Sequence, residues 1–256
     1  MPYTLIDGIR LETRVIPGGA SKPWLVFLHE GLGSVSLWRD FPDKLARRLG
    51  MPALIYSRRG YGSSNPLAGP REPDFMHREA LDVLPRLLDA HGIDRAWLIG
   101  HSDGASIALI HAAHHPDRVA GVVLMAPHVM VETISYQSIA RVTETYERGD
   151  LRSRLARHHA HVDDAFLGWS RIWLDPRFRT WSLGNECARL AVPTLLIQGE
   201  DDEYGTLAQL DAIEQVAPLR PTRLVLPKCG HAPWREKEAD VIEAIAKVAD
   251  ALEADA

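Results

Sequence analysis

The stretch Ala96-Trp97-Leu98-Ile99-Gly100-His101-Ser102-Asp103-Gly104-Ala105 decides how the rest of the chain is read. Ala96–Gly100 is a short apolar run of the kind expected of a strand buried on both faces. Gly104–His114 reads as a helix. Between them lies G-x-S-x-G. Ordinary glycine and serine frequencies would place such a pentapeptide by chance in roughly one chain of this length in ten. The motif gains its meaning from context, because it requires a strand before it and a helix after it. A sharp turn there strains Ser102 and lifts its hydroxyl above the sheet, where side chains at Gly100 and Gly104 would collide with neighbouring backbone. The first amides of the helix face the same point. Ser102 is the candidate nucleophile.

A serine needs a base to take its proton. Of the 12 histidines, His111, His114 and His115 follow the nucleophile helix and His158, His159 and His161 form a second group. Surface or capping roles suffice for both, and neither shows the carboxylate–histidine spacing of a metal site. His231 differs. It lies in Lys228-Cys229-Gly230-His231-Ala232-Pro233-Trp234, after the last expected strand. A carboxylate must hold its imidazole in the working tautomer. The loop after the preceding strand, Gln198-Gly199-Glu200-Asp201-Asp202-Glu203-Tyr204, carries four acids in a row where a strand's carboxyl end collects functional groups. Asp202 is the expected partner and Asp201 the runner-up. The order serine, acid, histidine is that of hydrolases on a sheet of this type. No carboxylate directly follows Val119–Ala126, so an alternative acid position there is empty.

Working outward, Trp24–His29, Ala53–Ser57, Val119–Ala126, Thr194–Gly199 and Arg223–Pro227 are further near-continuous apolar runs. Helical patterns cover Ser36–Leu49, Phe75–His91, Leu207–Val216 and Lys237–Leu252, so strands and helices alternate as in a mostly parallel sheet flanked by helices. Tyr3–Ile6 and Ile9–Ile16 read as a hairpin around Asp7-Gly8. The rhythm breaks between Pro127 and Pro193, where Glu132–Arg148, Leu151–His159, Val162–Leu174 and Trp181–Leu190 read as helices without a strand. The expectation is an α/β core over residues 1–127 and 191–256, with a helical cap inserted at 128–190 above the sheet's carboxyl edge.

The 256 residues, 46% hydrophobic and 25% charged, fit a globular chain with a large core and no need of disulfide staples. Net charge is −5, without the concentrated basic face of a nucleic-acid binder. The longest apolar stretch falls far short of the roughly 20 residues that span a bilayer, so no membrane association is expected. The start MPYTLIDGIRLETRV lacks the basic and apolar blocks of a secretion signal. A cytoplasmic location follows as the expectation, with Cys187 and Cys229 as free thiols. No cofactor and no metal are expected. The oligomeric state, monomer or homodimer, stays open.

Together His29-Glu30-Gly31-Leu32-Gly33, Ser57-Arg58-Arg59-Gly60-Tyr61-Gly62-Ser63-Ser64, Gly100-His101-Ser102-Asp103-Gly104, Gly199-Glu200-Asp201-Asp202 and Gly230-His231 resemble the α/β-hydrolase fold superfamily, specifically its capped serine hydrolases. The resemblance implies a Ser102–His231–Asp202 triad, since the acid there commonly ends a G-x-x-D sequence. It also implies an oxyanion hole from the amides of Asp103 and Gly31. Glu30 departs from the family pattern, standing where glycine usually follows the histidine. Glu30, Tyr136, Trp169, Trp173 and Trp234 are the expected pocket residues. The implied activity is hydrolysis of small or medium carboxylic esters, aromatic ones included, through an acyl-enzyme. Thioester hydrolysis, carbon–carbon cleavage of aromatic ring-cleavage products, and ligand binding without turnover are the alternatives.

Overall fold

A computed structural model describes residues 2–20 and 22–254. Eight strands form one sheet: β1 Tyr3–Ile6, β2 Ile9–Ile16, β3 Trp24–Leu28, β4 Ala53–Tyr56, β5 Ala96–His101, β6 Val119–Met125, β7 Thr194–Gly199 and β8 Thr222–Leu226. Their order is β1-β2-β4-β3-β5-β6-β7-β8. β1, β2 and β4 pair antiparallel, and every pairing from β4 onward is parallel. The hairpin turns on Asp7 and Gly8, both at positive φ, as a two-residue turn of matching twist requires.

Strand alternation splits the core in two. Leu25, Phe27, Ile99, Val123 and Ile197 face one side and pack with α1 (Phe41–Leu49) and the C-terminal helix. Val26, Leu28, Leu98, Val122 and Leu196 face the other, with α2 (Phe75–Arg78), α3 (Leu84–Ala90) and α4 (Asp103–His114). The central strands β3, β4 and β6 are apolar along their length because both of their faces are covered, whereas the edge strand β8 carries Thr222 and Arg223 and is only part-buried. Between β6 and β7 come α5 (Thr133–Arg148), α6 (Leu151–Leu155), α7 (Val162–Leu174) and α8 (Gly184–Cys187). The remaining helices are α9 (Ala208–Glu214), α10 (Pro233–Glu236) and α11 (Glu238–Ala254). Among the described residues no helix is long and apolar enough to cross a membrane. Cys187 and Cys229 are free and buried.

Three expected helices are interrupted, each for an identifiable reason. Ser36–Leu49 splits into a 3₁₀ turn, Ser36–Trp38, and α1, with Arg39 at positive φ between them. In one continuous helix the Pro42 ring would strike the Trp38 carbonyl. Phe75–His91 contains a π-helical turn at Glu79–Val83, just ahead of Pro85, whose missing N–H and bulky ring disturb the bond to Leu81. Leu151–His159 stops at Leu155, and His159 is taken out of the helix to serve the body. It lies 3.0 Å from both the Gly62 amide and the Leu32 carbonyl. His159 and His111 are therefore buried rather than at the surface. His111 Nδ1 donates to the Ala80 carbonyl at 2.8 Å.

Candidate active site

Ser102 sits between β5 and α4 with φ 52° and ψ −120°, in the left-handed region that non-glycine residues avoid. The strain is held by its surroundings. The Ser102 amide donates to the Met125 carbonyl at 2.9 Å, and its carbonyl accepts from Ala105 and Ser106. A Cβ on Gly104 would overlap the Leu28 carbonyl, and one on Gly100 would lie 2.5 Å from the Gly104 carbonyl oxygen. Both glycines let helix, turn and sheet approach more closely than any side chain permits.

His231 Nδ1 lies 2.8 Å and 2.9 Å from the two oxygens of Asp202, and its Nε2 lies 2.9 Å from Ser102 Oγ. A carboxylate only accepts, so Nδ1 carries the proton and Nε2 presents its lone pair to the serine hydroxyl. Asp202 is itself fixed, accepting from the Tyr204 and Gly205 amides and from Gln198 Nε2. Asp201 is exposed on the neighbouring turn. Burial pushes the Asp202 carboxyl up, but His231 and the Tyr204 amide outweigh it and leave it below its ordinary value. For His231, burial disfavours the charged form. Asp202, with Glu203 and Glu30, more than compensates and raises the imidazole above its ordinary value.

A cavity of about 240 Å³ opens over Ser102. Glu30, Gly31, Asp103, Trp169 and Trp173 line it, as do Leu32, Ile139, His128, Glu203, Tyr204, Arg235 and Glu236. Two of the expected pocket residues lie elsewhere. Tyr136 is outside the lining, under the Arg179 guanidinium at 4.0 Å. Trp234 is buried behind His101, its indole Nε1 3.2 Å from the ring Nδ1, and it packs on Trp38 and Phe41. The Asp103 amide is the first in α4 and has no partner within a helix. Gly31 belongs to the β3 loop, pressed so closely by the Trp169 ring that a side chain there would overlap it.

Glu30 points toward His101, with Oε2 3.3 Å from Nδ1, and His101 Nε2 donates to the His231 carbonyl at 2.6 Å. Burial raises the Glu30 carboxyl, yet its bond and charge interaction with His101 leave it below its ordinary value. Beneath the nucleophile, Asp103 and Arg58 are both sealed from solvent, 4.0 Å apart. Arg58 donates to the carbonyls of His29 and Glu30, and Trp173 Nε1 donates to Asp103 at 3.1 Å. Sequence reading missed His128, which enters the cavity from just beyond β6 at the position searched only for a carboxylate. A histidine three residues past the end of β6 was the signal available.

A family model for the alpha/beta hydrolase fold matches residues 23–186. The chain is 26% identical over 247 residues to a 2-succinyl-6-hydroxy-2,4-cyclohexadiene-1-carboxylate synthase of Serratia proteamaculans, covering 86% of this chain and 91% of that protein. It is 29% identical over 258 residues to a 2-hydroxymuconate semialdehyde hydrolase of Pseudomonas sp., covering 89% and 86%. A carboxylesterase structure from Nitrososphaera gargenis superposes with a TM-score of 0.80 at 18% identity, over 100% of both chains.

Proposed function

The chain belongs to the alpha/beta hydrolase fold family, and on that premise we propose that it is a serine hydrolase of small to medium carboxylic esters. The observation that carries this reading is the unbroken line from Asp202 through His231 to Ser102 Oγ, every step between 2.8 and 2.9 Å. Ser102 Oγ attacks the ester carbonyl as His231 Nε2 takes its proton. The oxyanion forms against the amides of Asp103 and Gly31, each worth about 3–4 kcal/mol in the transition state. His231 then protonates the departing alcohol, and water, deprotonated by the same imidazole, releases the acid and restores Ser102. Asp202 holds the tautomer and offsets the charge on His231.

Carbon–carbon cleavage is the second reading, favoured by the two relatives whose names specify a carboxylate and a muconate. The charge of the cavity opposes it. Glu30, Glu203 and Glu236 line the space with one exposed cation, Arg235, and the neighbouring Arg58 is sealed beneath. An anionic substrate would meet net repulsion there. An uncharged ester meets none.

The test is kcat/KM for p-nitrophenyl esters from acetate to decanoate, with wild type beside Ser102→Ala. The small cavity predicts an optimum at short acyl chains and turnover that disappears in the variant. Two equally inactive proteins would end the ester reading. Vinylogous diketone acids, cleaved by wild type alone, would then establish the second one.

A further inference from the structure

The cavity contains a second histidine that the proposed triad does not use. His128 is 4% exposed, yet it lines the same space as Ser102. Its ring lies edge-on to Trp173 with centroids 5.0 Å apart, and 5.6 Å from the His231 ring. The backbone beneath it is fixed. Ala126 stands at φ 47°, re-aiming the chain as it leaves β6, and Ser106 Oγ donates to the His128 carbonyl at 2.6 Å. Gln209 Oε1 accepts from the next two amides. A strained residue and three hydrogen bonds thus place one imidazole at the reacting centre.

Among the described residues that imidazole has no hydrogen-bond partner of its own. Nδ1 is sealed against Gly205 with nothing to pair with, which leaves Nε2 as the polar edge that meets the cavity. Burial and the nearby His231 pull its pKa down to about 3, so the ring stays neutral at working pH. A neutral ring carries one proton. Placing it on Nδ1 would bury an orphan N–H, the rarer and costlier defect, whereas placing it on Nε2 leaves only an idle lone pair inside. The cavity therefore receives an N–H donor that no group among the described residues satisfies.

We propose that His128 is a specificity-determining residue that donates from Nε2 to an uncharged oxygen of the substrate. The class of substrate is an ester bearing an ether, keto or hydroxyl oxygen two to about four bonds from the scissile carbonyl carbon, on either its acyl or its alcohol side. A carboxylate oxygen is disfavoured there, because Glu30, Glu203 and Glu236 outnumber Arg235 on the same lining. This rests on the ester-hydrolase reading and deepens it. A buried donor left unpaired by the wrong substrate is costly, and the expected discrimination is about tenfold or more.

The test uses two isosteric pairs: p-nitrophenyl methoxyacetate against butanoate for the acyl side, and 2-methoxyethyl against butyl acetate for the alcohol side. Each kcat/KM is divided by the ester's rate with hydroxide, which removes intrinsic reactivity. Wild type should favour the oxygenated member of one pair at least tenfold, and His128→Phe, which keeps the ring against Trp173, should bring that ratio to about one. No preference in either pair, or a preference that survives in His128→Phe, would overturn the proposal while leaving the hydrolase reading intact. Failure of wild type to turn over any of the four esters would instead overturn the ester reading, and this proposal with it.

Discussion

Two buried polar clusters meet at the nucleophile, and they are built on opposite plans. On one side Asp202, His231 and Ser102 are joined by short, directed hydrogen bonds, and both oxygens of the acid are occupied. On the other, Arg58 shares charge with Asp103 and Glu79 at longer range, and only Tyr56 donates directly within the set, to Glu79 at 2.9 Å. Arg58 and Asp103 stand 4.0 Å apart, and among the described residues Arg58 Nε and one Asp103 oxygen have no hydrogen-bond partner. Burial pushes the Asp103 and Glu79 carboxyls above their ordinary values against the pull of Arg58. The first cluster is arranged to move a proton. The second is arranged to keep β3, β4, the π-turn and the nucleophile helix in one register around a single guanidinium.

Breaking each cluster should have opposite signatures. Asp202→Asn is expected to lower kcat by about 10⁴-fold, because the asparagine selects the wrong imidazole tautomer, with little change in melting temperature. Activity within tenfold of wild type would remove Asp202 from the proposed triad. Arg58→Met should instead cost about 3–5 kcal/mol of stability, since it strands buried acids without a counter-charge. Denaturant unfolding measures that loss. Adding Asp103→Asn to the same chain should recover part of it. A double variant less stable than Arg58→Met would show that Asp103 does not depend on Arg58.

The same contrast explains what could be read from the sequence. Chemistry fixes residue types and spacing around Ser102, Asp202 and His231, and the apolar runs fix the strands that carry them, so these positions stand out in the one-dimensional chain. The Arg58 cluster draws on four separate elements, and nothing local marks Arg58 as buried in a loop that reads as polar. Glu79 is equally silent, because it turns inward on a π-turn set by Pro85 six residues later. Trp234 and Tyr136 misled for the converse reason: aromatic character marks burial, but only packing decides whether a ring faces a cavity or another ring. Trp169 and Trp173 share a helix face and reach the cavity together.

Between the clusters lies the acidic lip of the cavity, which should tune the base. Glu203 and Glu30 favour the charged form of His231. Because the raised pKa keeps the base protonated to higher pH, activity should fall on acidification with an inflection above the ordinary histidine value of about 6.5. Glu203→Gln removes one of these charges and should move that limb to lower pH by a few tenths of a unit. The Ser138 hydroxyl bonds the Glu203 carbonyl, not its side chain, so the joint with α5 survives the change. A limb that stays still or moves upward in the pH–rate profile would discard this account.

The smallest effect comes from placing a similar charged set in solvent. On the outer helices Arg152 donates twice to Asp163, at 2.9 and 2.7 Å, and Tyr146 donates to the same acid at 2.6 Å. Those bonds from Arg152 and Tyr146 hold the Asp163 carboxyl down at about 2. A folded-state value below the unfolded one, about 3.9, stabilises the protein fully above pH 4, and that contribution fades as pH falls toward 2. Asp163 is 52% exposed, so water and salt screen most of the interaction and it should contribute less than about 1 kcal/mol. Asp163→Asn should therefore melt no more than about 4 °C below wild type at pH 6, with the gap narrowing toward pH 2.5 and in high salt. A larger gap that salt leaves unchanged would mean that geometry, rather than burial, separates the strong clusters of this protein from the weak one.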